Sequence, residues 1–239
     1  MREGRDTTVR QRSGWLIPLG VFVVTAILSA LLLVYYLAPP PAAFIEERPT
    51  PTARTDRVNL AIGDTAFAIP ANYLEYRSAR QGGTVREVAL FAILPDFRGY
   101  SDWDSSLFAG NAADSPVVYM LIGEERYNIS EAERLNRIYL GYVSDPKGQP
   151  GPFGLTAYTF RADSGYGGED LFVGHLGKRI VVFRCDRGSL RVPSPSCLRD
   201  ERIGHHLSVS YRFKRTQLSH WREIAVGVNR LIQSFKAKA

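Results

Sequence analysis

Cysteine, methionine and histidine are scarce in this chain of 239 residues, which has two, two and four of them. Two cysteines leave no second pair of thiolates to complete a structural zinc site. His205 and His206 are adjacent in a stretch that reads as a strand, so their side chains point to opposite faces and cannot share one metal. His175 falls in another strand and His220 in the first turn of the last helix. No serine sits in a nucleophile elbow and no histidine pair has metalloprotease spacing. The glycines of DSGYGG lie between two strand-like runs, whereas a phosphate cradle needs a strand followed by a helix. These absences leave no catalytic signature, and no metal or cofactor is expected.

One segment lacks charge altogether. Residues 15–38, WLIPLGVFVVTAILSALLLVYYLA, would span about 36 Å as a helix, against a hydrocarbon core of about 30 Å. A secretory signal is shorter and ends in a small-x-small site. Here Tyr36 occupies the third position back from Ala38 and Pro39 follows, so the segment reads as an uncleaved transmembrane anchor. Trp15 and the Tyr35, Tyr36 pair suit the two interfaces. Arg2, Arg5, Arg10 and Arg12 precede the segment, and Glu46 and Glu47 are the first charges after it. The excess of positive charge places residues 1–14 in the cytoplasm and the rest outside an inner (plasma) membrane.

Residues 39–56 hold five prolines in PPPAAFIEERPTPTARTD and read as a semi-extended linker. Residues 57–239 are then one extracytoplasmic domain of roughly 180 residues, enough for its own core. Its expected fold is α+β, a mainly antiparallel sheet covered by amphipathic helices. VNLAI and FAIP, split by Gly63 and Asp64, read as two strands. EVALFAIL and VVYMLIG read as central strands buried on both faces. In NISEAERLNRIYLGY, Ser130 and Glu133 form a capping box ahead of Leu135, Ile138, Tyr139 and Tyr142, which predicts one amphipathic helix. The cap explains Ser130 better than the glycosylation triplet beginning at Asn128. LTAYTFRA, EDLFVGHL, KRIVVFRC and HHLSVSYRF predict an antiparallel meander. From Trp221, the residues Ile224, Ala225, Val228, Leu231, Ile232 and Phe235 repeat at helical spacing along one face.

Cys185 and Cys197 bracket the turn-rich DRGSLRVPSPS, and outside the cytoplasm a disulfide between them would persist. Free thiols in a reducing compartment are the alternative. Closing a loop of that size would contribute on the order of 3 kcal/mol.

FAIPANYLEY opening the domain, a long meander ending in LSVSYRF and a closing helix ending RLIQSFKA resemble the PsbP-like and DcrB-like extracytoplasmic α+β domains. That resemblance implies an antiparallel sheet covered by helices and an accessory or binding role without shared catalytic residues. The chain departs from the pattern in its Cys185 to Cys197 loop and in the aromatic-acidic stretch PDFRGYSDWDSS.

The aromatic-acidic stretch supplies the candidate binding residues Asp96, Phe97, Tyr100, Asp102, Trp103 and Asp104. Loops carry function more often than core segments do, and aromatic side chains favour interfaces, although these could equally pack down as a flap over the sheet. Three aspartates also offer oxygen ligands, without the glycine and terminal acid of a calcium loop. Charge is uneven: residues 58–177 contain 9 basic and 15 acidic side chains, a net of −6, and residues 178–239 contain 14 and 4, a net of +10. Outside the cytoplasm nucleic acid is not an expected partner, whereas anionic lipid headgroups or an acidic protein surface suit that charge. The alternative is that the basic strands pair with acidic ones inside the fold. The expected function is a membrane-anchored binding or accessory module with a protein partner. An envelope enzyme using the loop from Asp96 to Asp104, or a small-ligand or lipid-binding domain, are the other readings.

Overall fold

The computed structural model describes residues 14–37, 47–125, 129–204 and 206–237. Two compact units result, residues 1–47 and 48–239. The flanking arginines at 2, 5, 10 and 12, Asn128 and His205 lie outside the described residues.

The first unit holds helix α1, Leu16–Leu37, 22 residues without a charge. Its apolar side chains are exposed along the helix, among them Ile17, Phe22, Leu28 and Leu32. Pro18 occupies the first turn, where its missing N–H breaks no helical hydrogen bond. Several side chains near the helix ends lie outside the description, and among the described residues no helix is long and apolar enough to cross a membrane.

In the second unit, β1 (Arg57–Ile62) and β2 (Thr65–Pro70) form a hairpin closed by Gly63 and Asp64, and β3 (Gly83–Val85) adds in parallel to β1. Gly63 takes φ 53°, the left-handed conformation the tight turn requires. The main sheet contains β4 (Glu87–Ile93), β5 (Val117–Glu124), β6 (Gln149–Pro150), β7 (Thr156–Thr159), β8 (Glu169–Leu176), β9 (Arg179–Asp186), β10 (Ser196–Gly204) and β11 (Leu207–Lys214). Its order is β4-β5-β11-β10-β9-β8-β7-β6, antiparallel throughout. Helices α2 (Ser105–Ala109) and α3 (Glu131–Arg137) lie between strands in sequence, and α4 (Trp221–Phe235) closes the chain.

Alternation along each strand divides the sheet into two faces. On one face, Leu90, Met120, Tyr211, Val181 and Phe183 form a single dry core with Trp221, Ile224, Val228, Ile232 and Phe235 of α4 and with Leu60, Phe67 and Ile69 of the small sheet. Burying each such side chain contributes about 1.5–3 kcal/mol. The α4 periodicity is thus the core stripe that the sequence predicts. Two glycines permit the close fit. A Cβ on Gly174 would lie 2.7 Å from the Trp221 ring, and one on Gly227 would overlap the ring of Phe97.

Several sequence expectations change. Strand β10, SCLRDERIG, is not among the runs the sequence suggests, because its apolar residues are outnumbered by charges. His206, expected in a strand, occupies the turn between β10 and β11 at φ 58°. Strand β4 is at the sheet edge, not central, and its outer side is covered by Leu74 and Glu75, the latter donating its N–H to the Ala89 carbonyl at 3.1 Å. The helix expected across NISEAERLNRIYLGY ends at Arg137 and continues as a 3-10 turn, Tyr139–Gly141, with Tyr142 exposed. Its capping box is present: Ser130 Oγ accepts the Glu133 N–H, and the Glu133 carboxylate accepts the Ser130 N–H at 3.0 Å. Residues 48–56, expected within the linker, belong to the folded unit, where the Thr50 carbonyl accepts Arg80 Nη2 at 2.6 Å.

Candidate binding trough

The second face of the sheet is covered only at its two sides. On one side, α3 and the turn after it lay Leu135, Tyr139 and Val143 over Leu171, Val173 and Val182. On the other, Tyr100 and Phe108 pack on Phe91, Ile93, Val117 and Tyr119, with the Phe91 and Phe108 rings 4.6 Å apart. Between these layers the floor of β5, β11 and β10 is open. Small or polar side chains, Ser196, Ser208, Ser210 and Arg212, occupy positions where the α4 face has hydrocarbon. Leu121, on the same floor, is exposed.

The open strip forms a trough whose upper part has a volume of about 560 Å³. One wall is Gly110 and Asn111, which follow α2. The other is Asp186 and Ser194, at the base of the loop that joins β9 to β10. The first wall lies just after the aromatic-acidic stretch of residues 95–106, and the second belongs to the Cys185 to Cys197 loop. The disulfide is formed, with Cα atoms 3.9 Å apart, between directly paired residues of β9 and β10. It fixes the base of the second wall. Two apolar side chains near these segments in the chain are fully exposed, Trp103, just before α2, at 97% and Leu190, in the loop from β9 to β10, at 104% of full accessibility. The lower part of the trough is more acidic, with Glu87, Glu124, Glu125 and Asp200 facing Arg134 and Arg202.

The candidate residues of the aromatic-acidic stretch are separated by the fold. Ile93 and Arg98 close a tight loop through paired backbone hydrogen bonds, and Phe97, at φ 55°, turns inward onto Gly227. Tyr73 donates its hydroxyl to the Phe97 carbonyl at 3.0 Å. Tyr100 packs down with Phe108. Asp104 accepts from Ser101 Oγ at 2.7 Å and from Arg98 at 3.2 Å, which makes it a local brace. Asp96 and Asp102 are exposed, and Trp103 alone projects fully into solvent. Among the described residues no three His, Cys, Asp or Glu side chains converge as a metal site.

Behind the trough the sheet is nearly divided. β9 and β10 pair only at Cys185 with Cys197 and at Arg184 with Leu198. Beyond that point Glu131, the first residue of α3, enters the opening. Its Oε1 accepts the Val182 N–H and Arg199 Nε, both at 2.9 Å, and its Oε2 accepts Arg199 Nη2 at 2.9 Å. Arg199 is almost fully buried and also reaches Glu201 at 2.9 Å and the Tyr211 hydroxyl at 2.8 Å. Burial holds the Glu201 carboxyl above its ordinary range despite Arg199, and pushes the Tyr211 phenol up as well.

Sequence reasoning missed Arg212, Lys214, Ser194 and Arg199. The signal for the first two was present in VSYRFK, whose alternation puts them on the face opposite Tyr211 and Phe213. What stands above that face is set by segments about a hundred residues earlier.

No family model matches the chain, and no curated protein matches it. Among solved structures, an immunity protein of the Stenotrophomonas maltophilia type IV secretion system superposes with a TM-score of 0.55 at 19% identity, over 77% of this chain and 94% of that one. The iron-regulated outer membrane lipoprotein FrpD of Neisseria meningitidis gives 0.48 at 17% identity, over 79% and 96%. The likeness is one of fold. It extends over most of both neighbours. Neither neighbour is described as PsbP-like or DcrB-like.

Proposed function

We propose that this chain is a membrane-anchored, extracytoplasmic protein-binding module that receives its partner in the trough on the open sheet face. The observation that carries the reading is one strip of uncovered sheet bounded by two segments from distant parts of the sequence, with two large apolar side chains close to those segments in the chain, Trp103 and Leu190, wholly in solvent. Aromatic anchors of this kind dominate the energy of protein interfaces. An immunity protein of a secretion system shares the fold, which is consistent with a module that acts by contact with another protein. The uncharged run of residues 15–38, which includes α1, serves as the anchor in this reading, since 24 residues would extend about 36 Å as a helix. The disulfide fits an oxidising compartment outside the cytoplasm.

Photo-crosslinking in cells tests the proposal. A benzoylphenylalanine at Trp103 or Leu190 should give a discrete protein adduct, and the same group at exposed Val226, on α4, should not. Identical adduct patterns from all three positions would refute the trough as the docking face. Retention of the full chain in carbonate-washed membranes checks the anchor.

A further inference from the structure

Basic side chains crowd β9, β10 and β11, and most are neutralised within the fold. Arg184 meets Glu169 at 3.0 Å, Arg187 and Arg215 share Asp170 at 2.7 Å each, Arg199 lies between Glu131 and Glu201, and Arg179 reaches Glu201 at 3.3 Å. Arg212 and Lys214 differ. Among the described residues neither enters an ion pair, although both project from β11 into the upper trough, about 7 Å apart along the strand.

Lys214 is the more informative of the two. It is only 7% exposed, and its ammonium donates to Asn111 Oδ1 in the opposite wall. An ammonium has three donors, and burying it without a counter-charge is costly. Burial, and then the neighbouring Arg212, lower its pKa, with Asp186 opposing. In the facing wall Ser194 Oγ is buried and has no hydrogen-bond partner among the described residues. Two cations without an ion pair and a hydroxyl without a partner among the described residues thus line one end of the trough.

We propose that this end of the trough is a subsite for a carboxylate side chain from an acidic segment of the partner protein, held by Lys214, Arg212 and the Ser194 hydroxyl. In the same proposal, the exposed Trp103 and Leu190 take apolar residues of that segment. The inference rests on the trough being the docking face. A carboxylate suits the site better than a phosphate, because Asp186 already offsets part of the charge of the two cations and, with Glu75 in the same trough, repels a dianion more strongly than a monoanion. A lipid surface is also a poor match: Lys214 is recessed between walls, so its ligand must be narrow and protruding.

Fluorescence anisotropy on the full chain in dodecyl maltoside micelles tests the subsite. The probes are labelled peptides in which leucine and tryptophan alternate with glutamate, glutamine or lysine. The glutamate peptide should bind roughly tenfold more tightly than the glutamine peptide, and Arg212→Gln should erase most of that difference. Lys214→Met should do the same and Lys214→Arg should preserve it. Arg212 is exposed, so its substitution tests the subsite even where a Lys214 variant folds poorly. Equal binding of the glutamate and glutamine peptides, lost on Trp103→Ala with Leu190→Ser, would overturn the carboxylate subsite and leave the docking trough standing. Binding that no trough substitution affects would overturn both. Displacement of the glutamate peptide by inorganic phosphate, or by phosphatidylglycerol vesicles, in a manner dependent on Arg212 and Lys214, would reassign the site to a phosphate.

Discussion

At the same height in the eight-stranded sheet, Met120, Tyr211 and Phe183 point toward α4, while Tyr119, Arg212 and Leu198 point the other way. The first set is covered by one helix and a second sheet. The second is bounded by two loops and open between them. Both faces use the same strands, so the difference comes from what the connections bring over them. On the α4 side the cover is a continuous apolar stripe. On the trough side it is two small aromatic layers with a gap, and the polar residues of the gap sit where a core would need hydrocarbon. Stability is concentrated on the first face, and the proposed docking site on the second.

The largest expected effect tests the closed face. Trp221→Ala removes an indole that is fully buried over Gly174 and donates to the Phe153 carbonyl at 3.1 Å. It should cost about 3–5 kcal/mol, read from urea denaturation. A loss below about 1 kcal/mol would mean that α4 does not hold the sheet.

A comparable loss is expected at the boundary between the faces. Arg199→Ala leaves the buried Glu201 and the partly buried Glu131 without their shared cation and should cost about 3–5 kcal/mol. Replacing the three together by Leu, Met and Leu should recover much of that, because the desolvation of all three charges disappears. If the triple variant is no better than the single one, the seam depends on those specific hydrogen bonds and not on charge balance.

Titration separates the faces by a smaller amount. Glu201 binds its proton more tightly folded than unfolded, so the native state holds more protons above the ordinary glutamate value of 4.5, and stability falls as pH rises from there through the raised value. Tyr211 acts in the same sense at alkaline pH: its folded phenol lies above 10, so stability present below pH 10 is lost as pH rises beyond it. Glu201→Gln should flatten the first slope and Tyr211→Phe the second, measured as the unfolding midpoint across pH. A midpoint that rises with pH through either window in the parent chain would contradict these assignments.

The smallest stability effect belongs to the two fully exposed apolar side chains. Trp103→Ala and Leu190→Ser remove side chains already in solvent and should each change stability by less than about 0.5 kcal/mol, while weakening the crosslinked adduct. A large loss of stability at either would show that the side chain packs on the fold.

Local periodicity made much of the closed face legible. The α4 stripe, the hairpin at Gly63 and Asp64 and the Ser130 cap all follow from residues within a few positions of each other. β10 was hidden because its inward residues include Arg199 and Glu201, which look like surface charges until Glu131 and Tyr211 are seen beside them. The aromatic-acidic stretch was recognisable as unusual, but its members divide between packing, as with Phe97, Tyr100 and Phe108, and exposure, as with Trp103. That division depends on Gly227 and Phe91, residues too distant for spacing to reveal. The charge asymmetry was visible too, and so was the alternative that acids within the fold absorb it. Only side-chain pairing separates the absorbed arginines from Arg212 and Lys214.

The carboxylate of Glu131 between β9 and β10 has a consequence for exchange with solvent. The Val182 amide is held by a side chain, while its partners along β8 hold their neighbours through the strand ladder. Its deuterium uptake therefore times the departure of α3 from the sheet, one helix lifting without the rest of the fold. Partner binding in the trough, beside that helix, would be registered at this single amide before it was felt anywhere in the core.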